Sequence, residues 1–172
     1  ALPEEIKKGY TTDIYFIRTK KILDALKMDK VKVVMEVTTG KLPRNWPWAV
    51  FCGLEDVLTL LEGLPVNVFS FPEGTIFKPF DVDGLRVPVM TVEGPYGDFC
   101  IYETPLLGLL CQASGIATMS ARIRKVAKDR LVIGFGIRRM HPALAPMIDR
   151  ASYIGGVDGV SSIIGAETIN KR

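Results

Sequence analysis

The stretch from residue 131 to 166 limits what this chain can fold into more than any other. Leu131-Val132-Ile133-Gly134-Phe135-Gly136 is apolar throughout, which suits a strand covered on both faces, as in a parallel sheet. Pro142 to Ile154 then reads as a helix closed by Gly155-Gly156, and Val157 to Val160 as a short second strand. Ser161 or Ser162 can cap a further helix through Ala166. Strand, helix, strand, helix is the rhythm of an α/β barrel or a doubly wound sheet. A complete eight-stranded barrel takes ~250 residues. The 172 residues here fall well short of that.

Upstream the texture differs. Glu4 to Lys30 reads as helical, interrupted at Gly9, with Ile14, Ile17, Ile22, Leu23 and Leu26 at mixed three- and four-residue spacings. Lys32 to Val37 is a strand signal and Trp46 to Phe51 a second, started by Pro47 as an edge or bulge. Leu54 to Leu61 reads as a short amphipathic helix with Gly63 just beyond it. Pro65–Phe71, Thr75–Phe80 and Leu85–Val92 follow as short strands divided by Pro72-Glu73-Gly74 and Asp83-Gly84. Glu93-Gly94-Pro95-Tyr96-Gly97-Asp98 reads as the linker. Thr104-Pro105 then starts a helix that runs to about Lys128. Gly108, Ala113, Ser114, Gly115, Ala117, Ser120 and Ala121 give that helix a surface other backbones can approach, as at a domain or subunit junction. The expected organisation is an α+β sheet domain over 1–100, then a linker helix and the first strands of an α/β unit over 101–172.

Charge and cysteine content exclude several classes. The net charge of +3 is too mild to argue for nucleic acid. Residues 1–100 carry 12 basic and 14 acidic side chains, and residues 101–172 carry 10 and 5. An anionic ligand therefore belongs with the second segment. Cys52, Cys100 and Cys111 lack metal-site spacing and have only His141 to help them, so no metal site is expected. Their apolar neighbours suggest buried thiols of a reducing compartment. No apolar run reads as a membrane span and the first residues are no signal peptide, so a soluble, cytoplasmic chain is expected.

The chemistry concentrates in Gly134-Phe135-Gly136-Ile137-Arg138-Arg139-Met140-His141-Pro142, from the end of a strand into a helix start. Ligands of α/β folds sit at the carboxyl ends of strands. Two guanidinium forks suit carboxylate or phosphate oxygens, and a helix start adds free N–H groups. The competing reading pairs Arg138 and Arg139 with Asp149, Asp158 or Glu103 as structural bridges. Gly134-Phe135-Gly136 lacks the third glycine of a dinucleotide fingerprint. Gly155-Gly156-Val157-Asp158-Gly159 fits a phosphate loop or a helix cap with a tight turn. Thr11 to Thr19 places Tyr15 and Phe16 beside an acid and a base, able to stack on a flat ring or to face solvent on an amphipathic helix. There is no Walker loop, and a Ser/His/Asp triad has only His141 to draw on.

Four stretches resemble the nicotinate phosphoribosyltransferase family, above all its archaeal-type members. They are Thr12-Asp13-Ile14-Tyr15-Phe16-Ile17-Arg18-Thr19, Tyr102-Glu103-Thr104-Pro105-Leu106-Leu107-Gly108, Phe135 through Pro142, and Asp149 through Ser161. The resemblance implies a type II phosphoribosyltransferase: an N-terminal α/β sandwich domain followed by the start of an α/β barrel that is incomplete here. It implies transfer of phosphoribose from phosphoribosyl pyrophosphate to nicotinate, for NAD synthesis, with Mg2+ and ATP as cofactors. It further implies that Tyr15 crosses a homo-oligomer interface to sandwich the pyridine ring against Phe135, with Arg138 on the base or phosphoribosyl group. Arg139 and His141 are the next catalytic expectations, and Gly136, Asp158 and Ser161 the remaining substrate-binding ones. Family members continue well beyond the matched region. The expectation is therefore an N-terminal portion: a fragment, one half of a split enzyme completed by a second chain, or an inactive remnant. Nicotinamide or quinolinate phosphoribosyltransferase is the same-class alternative, and a non-catalytic assembly module the other.

Overall fold

A computed structural model describes residues 1–171, and these pack as two compact units. The first comprises Ala1–Gly40, Leu54–Phe71 and Pro79–Leu110; the second comprises Lys41–Gly53, Pro72–Lys78 and the chain from Cys111 on. The expected division near residue 100 follows chain order, whereas the units interleave. The two early excursions carry strands β2 (Ala49–Val50) and β4 (Ile76–Phe77), which pair antiparallel with each other and so leave the first unit together.

In the first unit, helices α1 (Pro3–Lys7) and α2 (Ile14–Ala25) are separated at Gly9. Gly9 has φ of +75°, and a Cβ there would meet Ile101 Cδ1 at 2.7 Å, so the glycine both ends α1 and admits the neighbour. Strands β1 (Lys32–Val37), β5 (Met90–Pro95) and β3 (Asn67–Ser70) form an antiparallel sheet in the order β1-β5-β3. Period-two alternation buries Val37, Met90 and Val92. Helix α3 (Leu54–Leu61) buries Val57, Leu60 and Leu61. Lys7 Nζ donates to the carbonyls of Thr59, Leu60 and Glu62 at 2.8, 3.0 and 2.8 Å, placing a cation on the negative end of α3.

Three sequence expectations fail here. Leu85–Val89 is not regular strand: β5 begins at Met90 and runs through Glu93-Gly94-Pro95, the expected linker. Those glycines serve close packing. A Cβ on Gly94 would sit 2.8 Å from the Pro65 carbonyl, and one on Gly97 2.6 Å from that of Asp29. Helix α4 (Tyr96–Phe99), a 3-10 turn over Cys100–Tyr102 and helix α5 (Glu103–Ala127) then follow without a break, so Thr104 lies inside a continuous helical stretch and does not start it.

In the second unit, β4 pairs with one edge of β2 and the hydroxyls of α5 serve the backbone around the other. Val50 N–H donates to Thr118 Oγ1 at 2.8 Å; Ser114 Oγ accepts from Cys52 N–H and donates to its carbonyl, both at 3.0 Å. Ala113 and Ala117 bury beside Val50, Cys52 and Ala151. Helix α6 (Ala145–Ile154) ends at Gly155, whose absent Cβ would strike the Ala117 carbonyl and lie 2.6 Å from Ser120 Cβ. The Arg122 guanidinium lies 4.3 and 5.0 Å from the ring centres of Trp46 and Trp48. Strands β6 (Ile133–Gly134) and β7 (Gly159–Val160) pair in parallel, as the sequence rhythm predicts, and α7 (Ile163–Lys171) follows. Ser162 Oγ accepts from Gly165 N–H at 2.9 Å at the start of α7, and Asp149, 1% exposed, accepts from Ser162 N–H and O–H at 3.2 and 2.5 Å.

Other expectations also change. Leu131, Ile133 and Phe135 are exposed, so the run is not covered on both faces by the described residues. Cys52 and Cys100 are buried but Cys111 is exposed. The 32-residue helical stretch Tyr96–Ala127 contains an 18-residue window with a mean hydropathy of 1.3, long and apolar enough to cross a membrane by length and composition alone, as the core helix of a soluble protein also can be. Its apolar side chains divide between buried Leu106, Leu110, Ala113 and Ala117 and exposed Leu107, Met119, Ile123 and Val126.

Candidate active site

The parallel register Ile133↔Gly159 and Gly134↔Val160 puts whatever follows Gly134 and Val160 at one carboxyl end. Phe135, Gly136 and Ser161 meet there. Phe135 is 57% exposed. No atom lies within 4 Å of where a Gly136 Cβ would stand, leaving open space against the backbone. Gly136–Arg139 forms a 3-10 turn and Pro142–Leu144 another, leading into α6. His141 Nδ1 accepts from Ala143 N–H at 3.2 Å, so the neutral ring carries its proton on Nε2.

Arg138 and Arg139 are exposed, and among the described residues neither makes an ion pair. The acids offered as their structural partners are engaged elsewhere. Asp149 holds Ser162, Asp158 holds Arg124 and Val132 N–H, and Glu103 hydrogen-bonds Tyr96. Two neighbouring guanidinium groups without a counter-charge, at a strand end, attract carboxylate or phosphate.

Asp158 is not part of that group. It precedes β7 as Val132 precedes β6, and so lies at the amino end of the pair. Its Oδ2 accepts from Val132 N–H at 2.8 Å and from Arg124, which also donates to the Gly156, Lys128 and Arg130 carbonyls at 2.6, 3.2 and 2.9 Å. The Val132 bond and Arg124 hold this carboxyl below the usual carboxylate range. Its geometry serves the strand pair.

Tyr15 belongs to the first unit. It is the second residue of α2, 54% exposed, with its ring centre 4.4 Å from that of Phe16 and tilted by 44°. Its hydroxyl donates to Asp13 Oδ2 at 3.2 Å, which also accepts from the Thr104 hydroxyl at 3.0 Å; Asp13 N–H donates back to Thr104 Oγ1 at 3.2 Å. Partial desolvation, then the charge and hydrogen bond of Asp13, then Glu103, raise the Tyr15 phenol above its ordinary range. Burial likewise raises Glu103, opposed by its bond from Tyr96, and burial followed by Glu103 raises Tyr96.

The model of the family described as quinolinate phosphoribosyl transferase, N-terminal domain, matches residues 13–114, more than half of the chain. The chain belongs to this family. Among curated relatives, nicotinate phosphoribosyltransferase of Dictyostelium discoideum is 30% identical over 89% of this chain and 31% of its own length. Nicotinate phosphoribosyltransferase 2 of Arabidopsis thaliana is 39% identical over 66% of this chain and 19% of its own. The chain thus spans less than a third of these relatives. Among solved structures, nicotinate-nucleotide pyrophosphorylase from Pyrococcus furiosus superposes with a TM-score of 0.90 at 59% identity, covering 97% of this chain and 41% of that one. Human nicotinic acid phosphoribosyltransferase, at 24% identity and a TM-score of 0.81 over 91% of this chain and 37% of that one, shares the fold.

In this member of the family, Asp13 was legible in sequence as the acid beside Tyr15, but Thr104 as their companion was not. Both stand in stretches that resemble the family, but Thr104 was legible only as a helix start. Arg124 was legible only as a charge on the last turns of a helix. Among the described residues no group of three His, Cys, Asp or Glu side chains could hold a metal ion.

Proposed function

We propose that this phosphoribosyltransferase chain serves the nicotinate reaction: nicotinate and phosphoribosyl pyrophosphate give nicotinate mononucleotide and pyrophosphate, in NAD biosynthesis. The observation that carries the reading is the pair Arg138 and Arg139, without acidic partners, at the carboxyl end of β6 and β7 beside the exposed ring of Phe135. The names of the curated relatives support it.

On this reading the pyridine nitrogen lone pair forms the bond to C1 as the C1–O bond to pyrophosphate breaks, and the electron pair leaves with pyrophosphate. C1 gains positive charge on the way, so fixed cations around the leaving group lower the barrier. An electron-poor ring needs flat apolar faces more than hydrogen bonds. Phe135 supplies one, and Tyr15 of a second copy supplies the other in a homo-oligomer with a shared site. Arg138 forks the base carboxylate or the phosphoribosyl group. Arg139, the Nε2–H of His141 and the Ser161 hydroxyl address phosphate oxygens, and Gly136 lets the ligand approach the backbone. Mg2+ and ATP belong to the same proposal, although among the described residues no group of three His, Cys, Asp or Glu side chains would hold the metal. A second chain completing the barrel and a cytoplasmic setting belong to the same proposal.

A second reading, quinolinate phosphoribosyl transfer, is favoured by the family description and by the 59% identical structure. Quinolinate carries two ring carboxylates, which two free arginines also suit, and its product forms with loss of carbon dioxide. The test supplies phosphoribosyl pyrophosphate with nicotinate, quinolinate or nicotinamide to the purified chain together with any polypeptide that co-purifies. Nicotinate mononucleotide formed from nicotinate without carbon dioxide supports the first reading; product with carbon dioxide from quinolinate supports the second. No transfer to any base, with intact-mass analysis finding a lone 19.0 kDa species, overturns both for this polypeptide.

A further inference from the structure

We infer that Asp13 is a positioning residue: with Thr104, it leashes the Tyr15 hydroxyl and so sets the angle at which the Tyr15 ring meets a flat ligand. The inference rests on the stacking role given to Tyr15 above. Asp13 stands at the N-cap of α2, where an aspartate normally accepts from a backbone N–H of the first turn. It makes no such bond. Its Oδ2 instead takes the hydroxyls of Tyr15 and Thr104, at 3.2 and 3.0 Å, and the Asp13 N–H donates back to Thr104 at 3.2 Å. The carboxylate is therefore withdrawn from helix capping and given to a phenol that is half exposed.

An exposed tyrosine at a helix start turns freely about its side-chain bonds. Here both ends of the ring are restrained. Phe16 tilts against it at 4.4 Å, and the Asp13 carboxylate holds the hydroxyl. Thr104, in the first turn of α5, fixes that carboxylate in turn. The other titrating groups near the phenol are Glu103 and Tyr96, hydrogen-bonded to each other, so Asp13 is the acid that contacts it. Prior restraint of a side chain that must be ordered in the complex favours binding, because less conformational freedom is lost when the ligand arrives.

The test has a spectroscopic arm and a kinetic one. Ultraviolet difference titration against Tyr15→Phe isolates the ionisation of Tyr15 in the chain without substrate. Asp13→Ala removes a charge that raises this phenol, so the midpoint moves to lower pH; Thr104→Val moves it the same way by less. Asp13→Asn keeps an acceptor without the charge and falls between wild type and Asp13→Ala. In the nicotinate assay Asp13→Ala raises KM about fivefold to tenfold, the scale of one net hydrogen bond, with kcat within about twofold. Asp13→Asn recovers most of that loss. A Tyr15 midpoint that neither Asp13→Ala nor Thr104→Val moves overturns the inference. So does an unchanged KM in Asp13→Ala when Tyr15→Ala raises it, a result that leaves stacking by Tyr15 intact. An unchanged KM in Tyr15→Ala removes the stacking role itself and the inference with it.

Discussion

Thr118→Val isolates one contact on which the second unit depends. Thr118 is 2% exposed and Val50 3%, and the 2.8 Å bond from Val50 N–H to Thr118 Oγ1 satisfies a backbone donor that β4 does not reach. Valine matches threonine in volume, so no cavity opens and packing is preserved. What is lost is the acceptor. A buried N–H left without a partner costs about 1–3 kcal/mol. In a chain of this size each kcal/mol lowers Tm by about 2–4 °C. Urea unfolding should show an earlier midpoint with an unchanged slope, and amide exchange at Val50 should accelerate. Ser114→Ala removes the neighbouring pair of bonds to Cys52, and a double-mutant cycle then tests whether the two hydroxyls act together. A Thr118→Val chain within ~0.5 kcal/mol of wild type, with Val50 still protected, would refute the assignment of β2 to the hydroxyl face of α5.

Tyr15→Ala should weaken nicotinate by roughly 1–3 kcal/mol if it stacks as aromatic side chains stack on bases; a steady KM excludes that role. Arg138→Lys should lower turnover, since a point charge cannot replace a planar fork, and wild-type kinetics would return Arg138 to the surface. Burial pushes the Cys52 thiol up to about 12 and also raises Cys100, while Cys111 is exposed. Iodoacetamide at about pH 8 should therefore label exposed Cys111 ahead of buried Cys52 by peptide mapping; equal labelling of Cys52 in the folded chain contradicts its burial. Asp158 is held below the ordinary carboxylate range, so it adds stability above its unfolded pKa and loses it as pH falls through its folded one. Asp158→Asn should flatten the acid limb of stability against pH, and an unchanged limb would exclude a role for its ion pair with Arg124.

Local pattern made several elements legible from sequence. β-branched alternation marks Lys32–Val37, and an amphipathic turn closed by glycine marks Leu54–Leu61. Both signals arise within a few residues, so no distant partner is needed to read them. The arginines at 138 and 139, on which the proposed anion site rests, were legible as a cationic pair at a strand end because they follow an apolar run and precede a helix. Glu93 to Asp98 was misread for the opposite reason. Gly94 and Gly97 signal flexibility in isolation, yet here they admit the backbone at Pro65 and Asp29, which lie far off in sequence.

By itself, then, the sequence determined the parallel strand rhythm after residue 131, the family likeness and the cluster of uncompensated positive charge. Those depend on residue type and short spacing. Only the tertiary structure decided that Asp158 faces the amino end of the strand pair, that α5 serves β2 through Ser114 and Thr118, and that Asp13 is tied to Tyr15 and Thr104. Each of these is a contact between groups whose nearness is fixed by chain crossing and register, and a hydroxyl or carboxylate carries no mark in sequence of which distant donor it will meet.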